Sequence, residues 1–86
     1  MIRIEFTSSA LKSIKKLNKT VQEKIMSKLE DFSQHRPTDY KKLKGYNDLY
    51  RIRVNEYRIV LQLVIIENTA YVIRVGHRRE VYKNLP

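Results

Sequence analysis

Two spacings of apolar residues divide the chain. Ile2, Ile4 and Phe6 alternate with polar residues, which predicts a strand over residues 3–6. Helical spacing follows, in one stripe of Ala10, Leu11, Ile14 and Leu17 and a second of Val21, Ile25, Leu29 and Phe32. These stripes predict two short helices that form a hairpin and cover one face of a sheet.

Polar residues predict where the two helices begin and end. Residues 7–9, Thr-Ser-Ser, offer side-chain caps for the first helix, and Asn18 and Lys19 interrupt its pattern. The run Thr20-Val-Gln-Glu23 is typical of a capping box, so the second helix is expected to begin there. Pro37 ends it.

The second half of the chain predicts strands. Residues 34–47 are polar and are expected to form a loop that carries Lys41, Lys42 and Lys44. Alternation then predicts strands over residues 49–54, 57–66 and 70–75, with turns at 55–56 and 67–69. The order is βααβββ, which predicts a single α+β domain over residues 1–86: the helical hairpin packs on one face of a mostly antiparallel four-stranded sheet.

The register of these strands brings arginines together. A two-residue turn at Asn55-Glu56 places Arg53 opposite Arg58 and puts Arg51 on the same surface, which we call the arginine face. A three-residue turn at 67–69 then places Arg58 opposite Arg78 and Gln62 opposite Arg74, again on the arginine face. The same register turns four residues toward the helices: Tyr71, Ile73, Val75 and His77.

A directly opposed pair of arginines needs an explanation beyond folding. Like charges across a strand pair destabilise a sheet, so Arg53 and Arg58 are expected to hold an anion between them. Guanidinium groups bind phosphate through two parallel hydrogen bonds, which makes a phosphate site the favoured interpretation. The alternative is an outer face whose arginines extend into water and bind nothing.

Composition supports a polyanionic partner. The 86 residues contain 18 Lys and Arg against 9 Asp and Glu, and the net charge of +9 is spread along the whole chain. Such a domain attracts nucleic acid or an acidic protein. It has no cysteine, no apolar signal segment and no run long enough to span a membrane, so we expect a cytoplasmic protein without membrane contact.

Several motifs resemble those of the RelE/ParE toxin superfamily. They are Lys42-Leu43-Lys44-Gly45, the strand Leu49-Tyr50-Arg51-Ile52-Arg53-Val54, the strand Tyr57-Arg58-Ile59-Val60, and the end Val75-Gly76-His77-Arg78-Arg79-Glu80-Val81-Tyr82. The resemblance covers nearly the whole chain and is nearer to the RelE branch. It implies a ribosome-dependent endonuclease that cuts mRNA in the ribosomal A site and that is held inactive by an acidic, RelB-like antitoxin. Oligomers are expected only through that complex. Because the sequence has no carboxylate cluster or His pair with metal-site spacing, we expect the reaction to need no metal or cofactor.

The resemblance also implies a set of site residues. Arg58 would clamp the scissile phosphate, Arg78 would stabilise or protonate the leaving oxygen, and Tyr82 would stack on a base or help activate the 2′-OH. Arg53 belongs to the same catalytic set, and further phosphate contacts are expected from Arg51, Lys42, Lys44 and Arg74. The alternative function is that of a ParE-like inhibitor of DNA gyrase, which binds and does not cleave.

The sequence departs from the family at one point. The best-known members have lysines at the positions of Arg51 and Arg53, and arginine is a poor general base because its pKa exceeds about 12. Both are therefore expected to bind phosphate and the transition state. The candidates for the base are Tyr82, His77, Glu56 or a ribosomal group. His77 could act as acid or base, because a histidine side chain ordinarily gains and loses its proton near neutral pH.

Overall fold

The computed structural model describes residues 1–77, 80–83 and 85, which form two helices and one five-stranded sheet. The elements are β1 (Arg3–Phe6), α1 (Ser8–Lys15), α2 (Lys19–Ser33), β2 (Tyr40–Lys42), β3 (Leu49–Val54), β4 (Tyr57–Val64) and β5 (Thr69–His77), with single 3₁₀ turns at Ile65–Glu67 and Glu80–Tyr82. The strand order is β1-β5-β4-β3-β2. β1 runs parallel to β5, and the other neighbours are antiparallel.

The α+β class and the helical hairpin are confirmed, but the sheet has one more strand than the sequence predicts. The missing strand is β2, which lies within residues 34–47, the segment predicted to be a loop. All three of its residues are exposed, so no alternation of buried and exposed positions marks it. It forms because it pairs with β3, and the Tyr40 ring packs edge-on against Phe32 at 5.3 Å between ring centroids.

Side-chain caps fix the start of both helices. Thr7 Oγ1 accepts a hydrogen bond from the Ala10 backbone N–H at 3.1 Å, which confirms the predicted cap region of α1. The capping box predicted at Thr20 is wrong. Asn18 caps α2, because its backbone is extended and its Oδ1 accepts from the Val21 N–H at 2.9 Å. The residue interpreted as a break between the helices is therefore the start of the second one.

The corrected cap gives a stability prediction. Replacing Asn18 by alanine leaves the Val21 N–H without its side-chain acceptor, and we expect a loss of about 1 kcal/mol in the free energy of unfolding. Thr20→Ala is the matched control and is expected to change stability by no more than about 0.5 kcal/mol. Urea denaturation of the two variants measures both values. A larger loss for Thr20→Ala than for Asn18→Ala would restore the capping box.

The core lies between the helical hairpin and one face of the sheet. The helices contribute Ala10, Ile14, Ile25, Leu29 and Phe32, and the sheet contributes Ile52, Val54, Ile59, Leu61, Ala70, Val72 and Val75. Most of these side chains occupy the positions that the helical and alternating patterns predict. Both helices therefore pack on the same face of the sheet.

The antiparallel pairing of β4 with β5 is confirmed, but its predicted register is wrong, because the connection is longer and β5 contains a bulge. Val64 pairs with Thr69, and the connection between them is the 3₁₀ turn Ile65–Glu67 followed by Asn68, whose φ is +52°. Gln62 lies opposite Tyr71, whereas Val60 lies opposite Arg74, so β5 has one extra residue between these pairs. That bulge reverses which residues face the core.

The bulge explains which orientations were predicted correctly. Beyond it, Arg74 lies on the arginine face and Val75 is buried in the core, as predicted. Before it, Tyr71 faces away from the helices rather than toward them. Its hydroxyl donates to Glu67 Oε1 at 2.6 Å, and this bond raises the pKa of Tyr71. Arg58 lies opposite Gly76, not Arg78, and Arg78 itself lies outside the described residues.

Candidate nucleic-acid interface

The arginine face is the sheet surface that the helices leave uncovered. Arg53 lies directly opposite Arg58, and Arg51 and Arg74 lie on either side of Val60, each one strand away from it. The predicted sharing of one surface by Arg51, Arg53, Arg58 and Arg74 is therefore confirmed. Three neighbouring strands supply four guanidinium groups, and a surface with this charge attracts polyanions.

Arg53 and Arg58 differ in how firmly they are held. Arg58 is half-buried, and its Nη1 donates to the carbonyl oxygens of Asn55 at 2.8 Å and Tyr57 at 2.9 Å. These bonds fix one edge of the guanidinium to the β3–β4 turn. The Arg53 side chain is exposed and takes part in no hydrogen bond or ion pair among the described residues. The pair thus combines one positioned cation with one that is free to adjust.

Arg51 already has an acidic partner. Its Nη1 lies 3.1 Å from Asp39 Oδ1 and 3.3 Å from the Asp39 carbonyl oxygen. The Arg51 side chain is only 19% exposed, whereas that of Asp39 is 57% exposed. A phosphate must therefore displace Asp39 to bind Arg51 fully, or share the guanidinium with it.

The register of β2 separates the lysines that the sequence grouped together. Lys42 pairs with Tyr50 and so lies toward the helices, whereas Lys41 pairs with Arg51 and lies on the arginine face. Lys44 is exposed in the segment between β2 and β3. The sequence predicts only that Lys41 lies in a basic loop. Its position on the arginine face follows from the pairing of β2 with β3, which no local pattern in the sequence indicates.

The segment after β5 returns onto the arginine face. Val81 is 2% exposed, and its side chain packs over Gly76, the residue opposite Arg58. A Cβ at Gly76 would lie 3.9 Å from Val81 Cβ, so the two segments are in contact. The Arg74 guanidinium donates to the Lys83 carbonyl oxygen, which ties the segment down further. Tyr82 lies between Val81 and Lys83, so its backbone is held beside the arginine face, and its side chain is 38% exposed.

The two other candidate bases, His77 and Glu56, are placed differently from each other. His77 is opposite Tyr57, so it points to the helix side of the sheet, as its predicted parity required; it is exposed, and its ring lies 5.7 Å from that of Tyr57. Glu56 lies in the β3–β4 turn and lines a groove with Arg53 and Lys24. Tyr82 is the candidate base whose segment packs on the arginine face.

Residues 1–77, 80–83 and 85 contain no group of three or more His, Cys, Asp or Glu side chains arranged to hold a metal ion. No helix within those residues is long and apolar enough to cross a membrane.

Known proteins resemble this chain in sequence and in fold. The model of the family described as the ParE toxin of the type II toxin–antitoxin system parDE matches residues 4–82. The mRNA interferase toxin RelE of Escherichia coli K12 is 35% identical over 83 residues, which cover 92% of this chain and 87% of that protein. The isolated E. coli RelE toxin has a crystal structure with a TM-score of 0.80 and 34% identity, covering 95% of this chain and 92% of that one.

A structure of a complex resembles it equally well. The intact E. coli RelBE toxin–antitoxin complex contains a chain with a TM-score of 0.80 and 31% identity, and the match covers 92% of this chain and 99% of that one. The family match spans most of the sequence, and these relatives are matched over nearly their full length. The chain therefore belongs to the RelE/ParE family of toxins of type II toxin–antitoxin systems.

Proposed function

We propose that this toxin is a ribosome-dependent mRNA endonuclease of the RelE type. The observation that carries the proposal is the directly opposed pair Arg53 and Arg58 on the sheet face that the helices leave uncovered, with the segment of Tyr82 packed on that face. Like-charged neighbours of this kind are stabilised by a bound anion. The relatives named mRNA interferase RelE support RNA as the source of that anion.

The proposed reaction is metal-independent and uses the RNA as its own nucleophile. The ribose 2′ oxygen forms a bond to the adjacent phosphorus while the bond from phosphorus to the 5′ oxygen breaks. The products are a 2′,3′-cyclic phosphate and a free 5′-OH. The 2′ proton goes to a base, the leaving 5′ oxygen takes up a proton, and cations must stabilise the negative charge that grows on the phosphate in between.

The described side chains fit separate parts of this reaction. Arg58, fixed by two carbonyl oxygens, clamps the phosphate, and Arg53 adjusts to its other oxygens. Arg51, Arg74, Lys41 and Lys44 bind flanking phosphates, and Lys42, on the helix side, is left to contact more distant RNA. Tyr82 acts at the 2′-OH or stacks on a base. Arg78 acts at the leaving oxygen, as the family resemblance implies.

One experiment separates this function from inhibition of DNA gyrase, the activity expected of a ParE-like toxin. Induced expression followed by mapping of mRNA 5′ ends should reveal new ends within codons of translated messages. Purified protein should cleave mRNA only in the presence of programmed ribosomes. If mRNA stayed intact and supercoiling by gyrase were inhibited, the proposal would be overturned in favour of a gyrase inhibitor. The gyrase inhibitor is the second candidate because the matching family model is described as a ParE toxin.

Salt dependence tests whether the arginine face binds RNA backbone. Each phosphate contact with single-stranded RNA contributes about 0.7 to the slope of log K against log salt. We expect Arg53→Ala to lower the slope by about that amount. Arg51→Ala should lower it less, because Arg51 is already paired with Asp39. Fluorescence anisotropy with a ribosome-free RNA oligonucleotide measures both slopes. If removing Arg51, Arg53 and Arg58 together left the slope unchanged, these arginines would be merely solvated.

The proposed partner is an acidic, RelB-like antitoxin that covers the arginine face or displaces Tyr82 from it. Association should be fast and should slow as salt is raised, because the face attracts negative charge over several ångströms. Stopped-flow mixing of toxin and antitoxin measures this rate. A crystal structure of the complex in which Arg53, Arg58 and Tyr82 all stayed accessible and unmoved would contradict inhibition at the site.

A further inference from the structure

We propose that a groove at the edge of the arginine face binds a nucleobase and rejects uracil, so that this groove adds base preference to the phosphate contacts. The groove has a volume of about 430 Å³, within the range of about 300–1,000 Å³ that is usual for small-molecule sites. Its lining includes Tyr46, Asp48, Leu49, Gln62, Ile73 and Arg74. The inference deepens the proposed function and rests on it for the source of the base.

The groove adjoins the phosphate-binding arginines. Arg74 lines it and also lies opposite Val60, the residue that separates Arg74 from Arg51 on the arginine face. Gln62 lies two residues after Val60 on β4, so its side chain points to the same surface. A nucleotide whose phosphate binds Arg74 can therefore place its base in the groove.

The walls of the groove suit a flat aromatic ring. Leu49 is 3% exposed and provides an apolar floor opposite Gln62. The β5 bulge carries Ile73, which lines the groove rather than following the alternation predicted for it. Tyr46 adds a half-buried aromatic side chain, and each of the four bases can stack on an aromatic ring.

The loop that carries Tyr46 and Asp48 is held in place before any ligand binds. The Leu43 N–H donates to the Leu49 carbonyl at 2.9 Å, and the Leu63 N–H donates to the Asp48 carbonyl at 2.9 Å. Gly45 turns the loop with φ +88°, a conformation that other residues rarely adopt. Because the loop is already ordered, it loses little conformational entropy when a ligand binds. Even a single base, which makes few contacts, can therefore bind there.

Two side chains of the groove, Asp48 and Gln62, each keep an oxygen that can accept a hydrogen bond. Gln62 Nε2 donates to Asp48 Oδ2 at 2.9 Å, which orients both side chains. Asp48 Oδ1 and Gln62 Oε1 have no donor partner among the described residues, so both can accept from a ligand. Adenine, guanine and cytosine each present an exocyclic amino group that can donate. An amino group can donate both of its hydrogens, whereas uracil offers only its ring N3–H between two carbonyl oxygens, so it leaves one of the two acceptors unpaired.

Nucleotide binding to the free protein tests the inference without ribosomes or cleavage. Isotope-labelled protein is titrated with AMP, CMP, GMP and UMP at one salt concentration and followed by amide chemical shifts. We expect shifts at Tyr46 and Ile73, and a dissociation constant for UMP at least about fivefold higher than for the other three. Equal affinities for all four nucleotides, or shifts confined to the arginine strands away from the groove, would overturn the proposal.

Two variants identify the cause of the discrimination. Asp48→Asn keeps the shape of the side chain, replaces one acceptor by a donor, and should bring UMP to within about twofold of the others. Tyr46→Leu removes the stacking ring and should weaken all four nucleotides by about fivefold while preserving their order. Glu23→Gln, which also removes one negative charge but from the exposed surface of α2, is the control and should change neither quantity.

These results are independent of the endonuclease proposal. Discrimination against UMP in a protein that cleaves no mRNA on ribosomes would support the groove and overturn the proposed function alone. Cleavage that is insensitive to Asp48→Asn, together with equal nucleotide affinities, would support the function and overturn the groove.

Discussion

Replacing Arg58 by alanine is expected to slow single-turnover cleavage of mRNA on programmed ribosomes by about 10²–10³-fold. The reason is electrostatic, since Arg58 is held by the carbonyl oxygens of Asn55 and Tyr57 beside Arg53, where charge on the phosphate would grow. Arg78→Ala is expected to have an effect of the same size. Arg58→Lys should recover only part of the rate, because a single ammonium group cannot bind two phosphate oxygens in parallel.

The control for these variants is an arginine far from the proposed site, whose replacement removes the same charge. Arg36 is exposed and pairs with Asp31 at 2.9 Å, at the end of α2, so Arg36→Ala should retain nearly full activity. Circular dichroism establishes that each variant is folded. Wild-type rates for both Arg58→Ala and Arg78→Ala in folded protein would remove the proposed active site and leave a binding function in its place.

Two substitutions of Tyr82 should separate stacking from proton transfer. Tyr82→Ala removes the ring and is expected to slow cleavage severely under either role. Tyr82→Phe keeps the ring and removes only the hydroxyl, so it should be nearly silent if Tyr82 stacks on a base. A loss of about 10²-fold or more for Tyr82→Phe indicates that the hydroxyl transfers a proton.

The measurement is the single-turnover rate across about pH 6 to 9, with His77→Ala in parallel. Because His77 lies on the helix side of the sheet, its removal should leave the pH profile largely unchanged. A loss of the profile in His77→Ala, with Tyr82→Phe unaffected, would make His77 the group that titrates. A silent Tyr82→Ala would exclude Tyr82 from both roles.

The fold follows from the sequence wherever a local pattern decides it. The stripe of Ile25, Leu29 and Phe32 has helical spacing, and a helix places all three side chains on one buried surface. The turn at Asn55-Glu56 is equally local, because Asn55 tolerates its φ of +54° and two residues fix the register of β3 with β4. The opposition of Arg53 and Arg58 could therefore be predicted.

The sequence alone determined the α+β class, the helical hairpin and the surface shared by Arg51, Arg53 and Arg58, because each depends on neighbours close along the chain. Only the tertiary structure decided the rest. Strand β2 exists because β3 offers it hydrogen bonds, and the bulge after Val72 arises from the pairing of β5 with β4. The pairing of β2 with β3 places Lys41 on the arginine face, and the bulge reverses which residues of β5 face the core. Both depend on contacts with another strand, so no local pattern in the sequence shows them.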